Sequence, residues 1–177
     1  MTDRETWDLA VAAVTEEFAG FSPSRRAAAA EAVAAAKACK NEFHTIVAGV
    51  SAAEICASCG GECCRTGKYH FTVVDLLAYL ADGKRLFTPR FGRHVCPYLG
   101  EEGCQMEPAY RPYNCVTFNC ERVEALLEPA ALERLVRLER QLRWHYGTVE
   151  ELFGARLMGG LLMNCERHHD LSRINGR

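Results

Sequence analysis

A mainly α-helical scaffold around an irregular, cysteine-rich core is the fold class this chain predicts, and three observations lead there. Apolar residues recur at helical spacing near both ends. Four prolines and three glycines interrupt the stretch from Phe87 to Cys120. Eight of the ten cysteines fall between Cys56 and Cys120. The expectation is about five helices and at most a short hairpin. They belong to a single domain, 1–177, with N-terminal helices in residues 1–49, a cysteine-cluster metal-binding core in residues 50–120 and C-terminal helices in residues 121–177.

The first helix, expected over residues 3 to 19, opens on Thr2 and Glu5 as a capping box, carries Trp7, Val11, Val14 and Phe18 on one stripe, and stops at Gly20. Ser22 as cap and Pro23 in the first turn start a second helix. Its alanine-rich run from Ala27 to Ala38 favours helix and close packing, and Gly49 is the next breaker after about Val47. Tyr69-His70-Phe71 reads as a short strand. Thr72 and Asp75 then cap a helix through Leu76, Leu77 and Leu80 that Gly83 ends. After a break at Glu128-Pro129, Leu132, Leu135, Val136, Leu142 and Tyr146 line a helix up to Gly147. Thr148 and Glu151 open the last one through Leu161, where Gly159-Gly160 bends it or permits a close contact.

Of 177 residues, 49% are hydrophobic, enough for a sizeable core, and the formal net charge is −2. From residue 121 onward nine Arg alternate with nine Asp or Glu, so no positive field exists to hold a phosphate backbone, and a nucleic-acid partner is not expected. Arg134, Arg137, Arg140 and Arg143 read as a solvated helix face, interrupted by Glu133 and Glu139. The charged N-terminus does not resemble a signal peptide, and no uncharged run approaches the ~18 residues of a span. A cytoplasmic protein with no membrane partner is expected, and in that reducing compartment a cysteine cluster points to metal or redox chemistry rather than disulfides.

A thiolate is a soft, anionic ligand suited to zinc or an iron–sulfur cluster. Cys56 and Cys59 are separated by the two residues that let one turn aim both sulfurs at one ion, and Gly60-Gly61 help the loop fold around it. Cys63 and Cys64 are neighbours whose side chains diverge in extended backbone. They suit two centres, or one ligand beside one buried thiol. Cys96 and Cys104 flank a reversal at Gly100-Glu-Glu-Gly103, and Cys115 and Cys120 follow Arg111-Pro112. Cys56, Cys59, Cys63, Cys64, Cys96, Cys104, Cys115 and Cys120 are therefore the candidate ligands.

Cys39 and Cys165 stand apart on helices and read as buried thiols. His70 and His94 have the chemistry to complete a mixed nitrogen and sulfur site, but with thiolates plentiful they read as surface or hydrogen-bonded histidines; His168-His169 is a solvated pair. Arg65, Lys68, Arg93 and Arg111 lie beside proposed ligands, where they either compensate thiolate charge or serve solubility.

The order CASCGGECC, CPYL, GC and RPYNC resembles the YkgJ-type cysteine-cluster family, a zinc- or iron-chelating domain with CxxCxxCC followed by Cys-Pro and Arg-Pro-x-x-Cys segments. The resemblance covers about residues 56 to 120. It implies that Cys56, Cys59, Cys63, Cys64, Cys96, Cys104 and Cys115 match the family's cysteines and Arg111-Pro112 its Arg-Pro. Three residues separate Cys59 from Cys63 where the family has two, and Val116 stands where an arginine is frequent. The family includes proteins similar to flagellin lysine methylases, which makes a protein-modifying enzyme the alternative. No glycine-rich strand-to-helix turn for a nucleotide-type methyl donor is present. The leading expectation is a protein that holds an iron–sulfur cluster or zinc for structure, electron transfer or metal handling. A thiol oxidoreductase using Cys56 and Cys59 ranks below both.

Overall fold

The computed structural model describes residues 1–58, 62–92, 95–100, 103–153 and 158–167, without the side chains of 56, 57, 62–65, 166 and 167. Thr2 caps α1 (Asp3–Ala19) with both halves of the expected box: its hydroxyl accepts the Glu5 amide at 3.2 Å, and its own amide donates to the Glu5 carboxylate at 2.7 Å. Ser22 and Pro23 likewise open α2 (Pro23–Ala48). α7 (Pro129–Phe153) lies along α2, whose Ala29, Ala32 and Ala36 are buried. Tyr146, Leu142 and Leu138 of α7 are wholly buried, whereas Val136, expected on that face, is half exposed.

The chain is mainly α, and its described residues form eight α-helices where about five were expected. The added ones are short: α3 (Ala52–Ser58) and α5 (Tyr113–Thr117) fall in the stretch read as irregular, and α6 (Glu121–Glu124) lies where helical patterning returns from Glu121 in the sequence. A capping box on Thr72 opens α4 (Val73–Ala81) as expected, and Gly83 follows it with φ of +60°, a conformation only glycine adopts freely. One hairpin, β1 (Leu99–Gly100) with β2 (Gly103–Cys104), pairs Leu99 with Cys104.

Two expectations fail for identifiable reasons. Gly147 does not end α7, which continues to Phe153. A helical glycine costs about 1 kcal/mol relative to alanine, and burial of Tyr146, Val149 and Phe153 on one stripe outweighs it. The separate last helix is α8 (Leu161–Arg167) alone, with 154–157 and the tail pair His168-His169 outside the described residues. Tyr69-His70-Phe71 is not a strand. Glu62–Tyr69 winds as a 3-10 helix, and only Thr72 bridges to Gly160. Gly160 takes the close-contact role: a Cβ there would lie 1.9 Å from the Tyr69 carbonyl oxygen, and Leu161 N–H donates to the Phe71 carbonyl at 2.6 Å.

Residues 84–92 and 95–98, which have no regular structure, are ordered by aromatic packing. Trp7 of α1 meets Phe71, Phe87, Phe91 and Tyr98 at centroid separations of 5.1 to 6.1 Å. Rings of this size bury large apolar areas and add specific edge contacts. Aromatic packing thus supplies order in the middle of the chain, where the sequence reading looked to metal coordination. A second device ties three helices from inside: Lys40 of α2 donates to Asp75 of α4 at 2.8 Å, and Tyr146 of α7 donates to the same carboxylate oxygen at 2.5 Å. Lys40 is 2% and Asp75 0% exposed. Among the described residues no helix is long and apolar enough to cross a membrane.

Candidate metal centre

The site is built on the turn that follows Cys63 and Cys64. Gly67, in the 3-10 helix, presents bare backbone to Cys96: a Cβ on Gly67 would lie 2.4 Å from the Cys96 sulfur. Tyr98, wholly buried, donates its hydroxyl to the Lys68 carbonyl at 3.0 Å, so the Cys96-Pro97-Tyr98 loop is pinned against residues 67 and 68. Lys68 reaches away to Asp3 of α1 at 3.1 Å, which makes it a clamp between elements rather than a counter-charge aimed at sulfur.

Two residues beyond Lys68, His70 turns Nδ1 to the Cys115 sulfur at 3.3 Å, while its Nε2 faces the Thr66 hydroxyl at 3.3 Å. Cys115 lies on α5, which starts at Tyr113 with Pro112 as its cap. Arg111 donates to the Met106 carbonyl at 3.3 Å and so shapes the turn that aims this helix. That is a structural use of the Arg-Pro pair. The remaining junction joins the two short helices at the ends of the cysteine series. Cys120 caps α6, α6 packs on α3, which carries Cys56, and Arg122 donates to the Ser58 hydroxyl at 3.2 Å.

Burial pushes the Cys96 thiol up to about 11, the Cys104 thiol nearby adds to this, and a backbone amide donated by Tyr98 works against it. Burial also raises the Tyr98 phenol well above its ordinary range, with the Cys96 and Cys115 sulfurs as the next contributors. His70 is held below the ordinary imidazole value by burial.

Cys96 and Cys115 thus meet the 67–70 turn, Cys104 stands exposed across the hairpin from Leu99, and Cys120 is half-buried at the α6 cap. Among the described residues no three His, Cys, Asp or Glu side chains surround a common point. Cys59 and His94 lie outside the described residues, as do Gly60, Gly61 and Arg93, and the side chains of Cys56, Cys63, Cys64 and Arg65 are likewise not described. Cys39 and Cys165 are buried on α2 and α8, away from this turn in sequence. Cys56 lies inside α3 toward its C-terminal end. A reactive Cys-x-x-Cys gains its low pKa at a helix N-terminus, so this placement disfavours thiol exchange.

Sequence reasoning missed Gly67, Thr66 and Tyr98, whose roles come from contacts distant in the chain. It also missed Lys40, for which a signal existed: with Ala29, Val33, Ala36 and Phe43 it falls on the buried stripe of α2, where a charge needs a partner. No family model, curated protein or solved structure matches the chain.

Proposed function

We propose that the chain is a cysteine-cluster metal-binding protein that holds an iron–sulfur cluster or zinc through thiolates, in a structural, electron-transfer or metal-handling role. The observation that carries this reading is the arrival of two sulfurs from the second cysteine group, Cys96 and Cys115, against Gly67 and His70, a few residues after Cys63-Cys64. Cys56, Cys59, Cys63, Cys64, Cys96, Cys104, Cys115 and Cys120 would supply the thiolates, and the bound group would supply either a folding clamp or a site for one electron. The motif order CASCGGECC, CPYL, GC and RPYNC supports a relationship to the YkgJ-type cysteine-cluster family. A reducing, cytoplasmic setting fits such thiolates.

Metal analysis and a visible spectrum of anaerobically purified protein test the proposal. A brown, oxygen-sensitive sample with iron and sulfide supports the cluster, and a colourless one with stoichiometric zinc supports the clamp. Protein that is folded and metal-free, and stays so after reconstitution with iron and sulfide or with zinc, overturns it.

A further inference from the structure

His70 faces a proposed thiolate ligand, a position that suits either a hydrogen bond to sulfur or a second donor on the same ion. Its Nδ1 points at the Cys115 sulfur at 3.3 Å. Two ligands on one tetrahedral ion, with bonds of about 2.0 to 2.1 Å to nitrogen and about 2.3 Å to sulfur, stand roughly 3.5 Å apart. The observed separation is therefore close to that of two donors sharing a metal. The far side of the ring has a partner as well, because Nε2 lies 3.3 Å from the Thr66 hydroxyl. An Nε2–H donated to that oxygen leaves the Nδ1 lone pair facing the sulfur, and metal-bound imidazoles are generally oriented by such a bond from their second nitrogen. The backbone at both residues is held firmly. Thr66 and His70 flank Gly67 and Lys68, which Cys96 and Tyr98 pin from the opposite loop, and the His70 amide donates to the Gly67 carbonyl at 3.0 Å.

We propose that His70 Nδ1 is itself a metal ligand, sharing an ion with the Cys115 thiolate, so that the centre is a mixed nitrogen and sulfur site oriented by Thr66. This rests on the metal-binding reading above. Replacing one thiolate with a neutral imidazole lowers the negative charge of the site by one. In an iron–sulfur centre that raises the reduction potential; in a zinc site it gives a three-thiolate, one-imidazole set.

The test uses full-length protein grown with 15N-labelled or unlabelled histidine and loaded either with an iron–sulfur cluster or with cobalt(II) in place of zinc. Pulsed electron paramagnetic resonance then reads nitrogen bound to the paramagnetic centre. The inference expects a coupling that changes with the label and persists when His70 is the sole histidine, the five others being replaced by Asn. It also expects His70→Cys to retain metal while losing the coupling, with cobalt absorption moving to the longer wavelengths of an all-sulfur site. Thr66→Val should weaken metal affinity by about 10- to 100-fold, as losing an orienting partner does. A loaded wild-type protein without nitrogen coupling, or a coupling that survives His70→Cys, overturns the inference and leaves the metal reading intact. Wild-type protein that accepts no metal overturns both.

Discussion

Gly67 and Cys96 meet so closely that a single added methyl group would place carbon 2.4 Å from the sulfur. Backbone and thiol occupy each other's space only because residue 67 has no side chain. Gly67→Ala should therefore push the Cys96-Pro97-Tyr98 loop off the 3-10 turn and cost about 1–3 kcal/mol, the usual range for overpacking. Urea unfolding and metal content measure this. Adding Cys96→Ala should recover most of the lost apoprotein stability without restoring metal, because it removes the atom in the way. A double variant as unstable as the single one would refute the contact.

The Lys40–Asp75 pair is wholly interior, and breaking one half leaves a buried charge. Lys40→Met should destabilise the fold by about 3–5 kcal/mol. Lys40→Met with Asp75→Asn should cost less than the sum of the two single changes, since neither charge then remains. The difference in a double-mutant cycle from denaturant midpoints gives the coupling directly. Simple additivity would count against the buried ion pair.

Acid sensitivity should include a contribution from Asp82. Partial burial pushes its carboxyl up, but hydrogen bonds from the Lys37 ammonium and the Tyr110 hydroxyl outweigh that and bring it below the ordinary value. A depressed native pKa means stability that is present above the unfolded-state value, about 3.9, and lost as pH falls through the lower native one. Asp82→Asn should therefore reduce stability at neutral pH and flatten its decline below about pH 4. Urea midpoints across pH 2–7 would follow this, and parallel profiles for the two proteins would exclude it.

Thiols outside the proposed centre should behave differently from those within it. Burial raises the Cys39 thiol, with the Glu42 carboxylate as the next cause, so little thiolate exists there at neutral pH. Cys39→Ser and Cys165→Ser are expected to leave metal content unchanged, whereas Cys59→Ser, Cys96→Ser and Cys115→Ser should lose it. Equal loss across all five variants, read by metal analysis of soluble folded protein, would undo the ligand assignment.

Local rules carried the sequence reading a long way. Thr2 with Glu5, Ser22 with Pro23, and Thr72 with Asp75 marked helix starts because capping involves residues three apart, so the partners are visible in a short window. The reading broke down where packing overrode local preference, as at Gly147, where a continuous buried stripe carries α7 past a residue that would otherwise end it. It also broke down at Tyr69-His70-Phe71, where a 3-10 helix runs through Tyr69 instead of a strand.

The order and spacing of residues were enough to predict the helical scaffold and to nominate the cysteines as candidate ligands, since helix periodicity and thiolate softness are properties of short segments and of atoms. Which sulfur meets which backbone could not be read that way. The Cys96 approach to Gly67 and the Cys115 approach to His70 span 29 and 45 positions along the chain. Such encounters depend on how Trp7, Phe71 and Tyr98 pack and on how Lys40, Asp75 and Tyr146 join three helices, and those relations exist only once the chain has closed on itself.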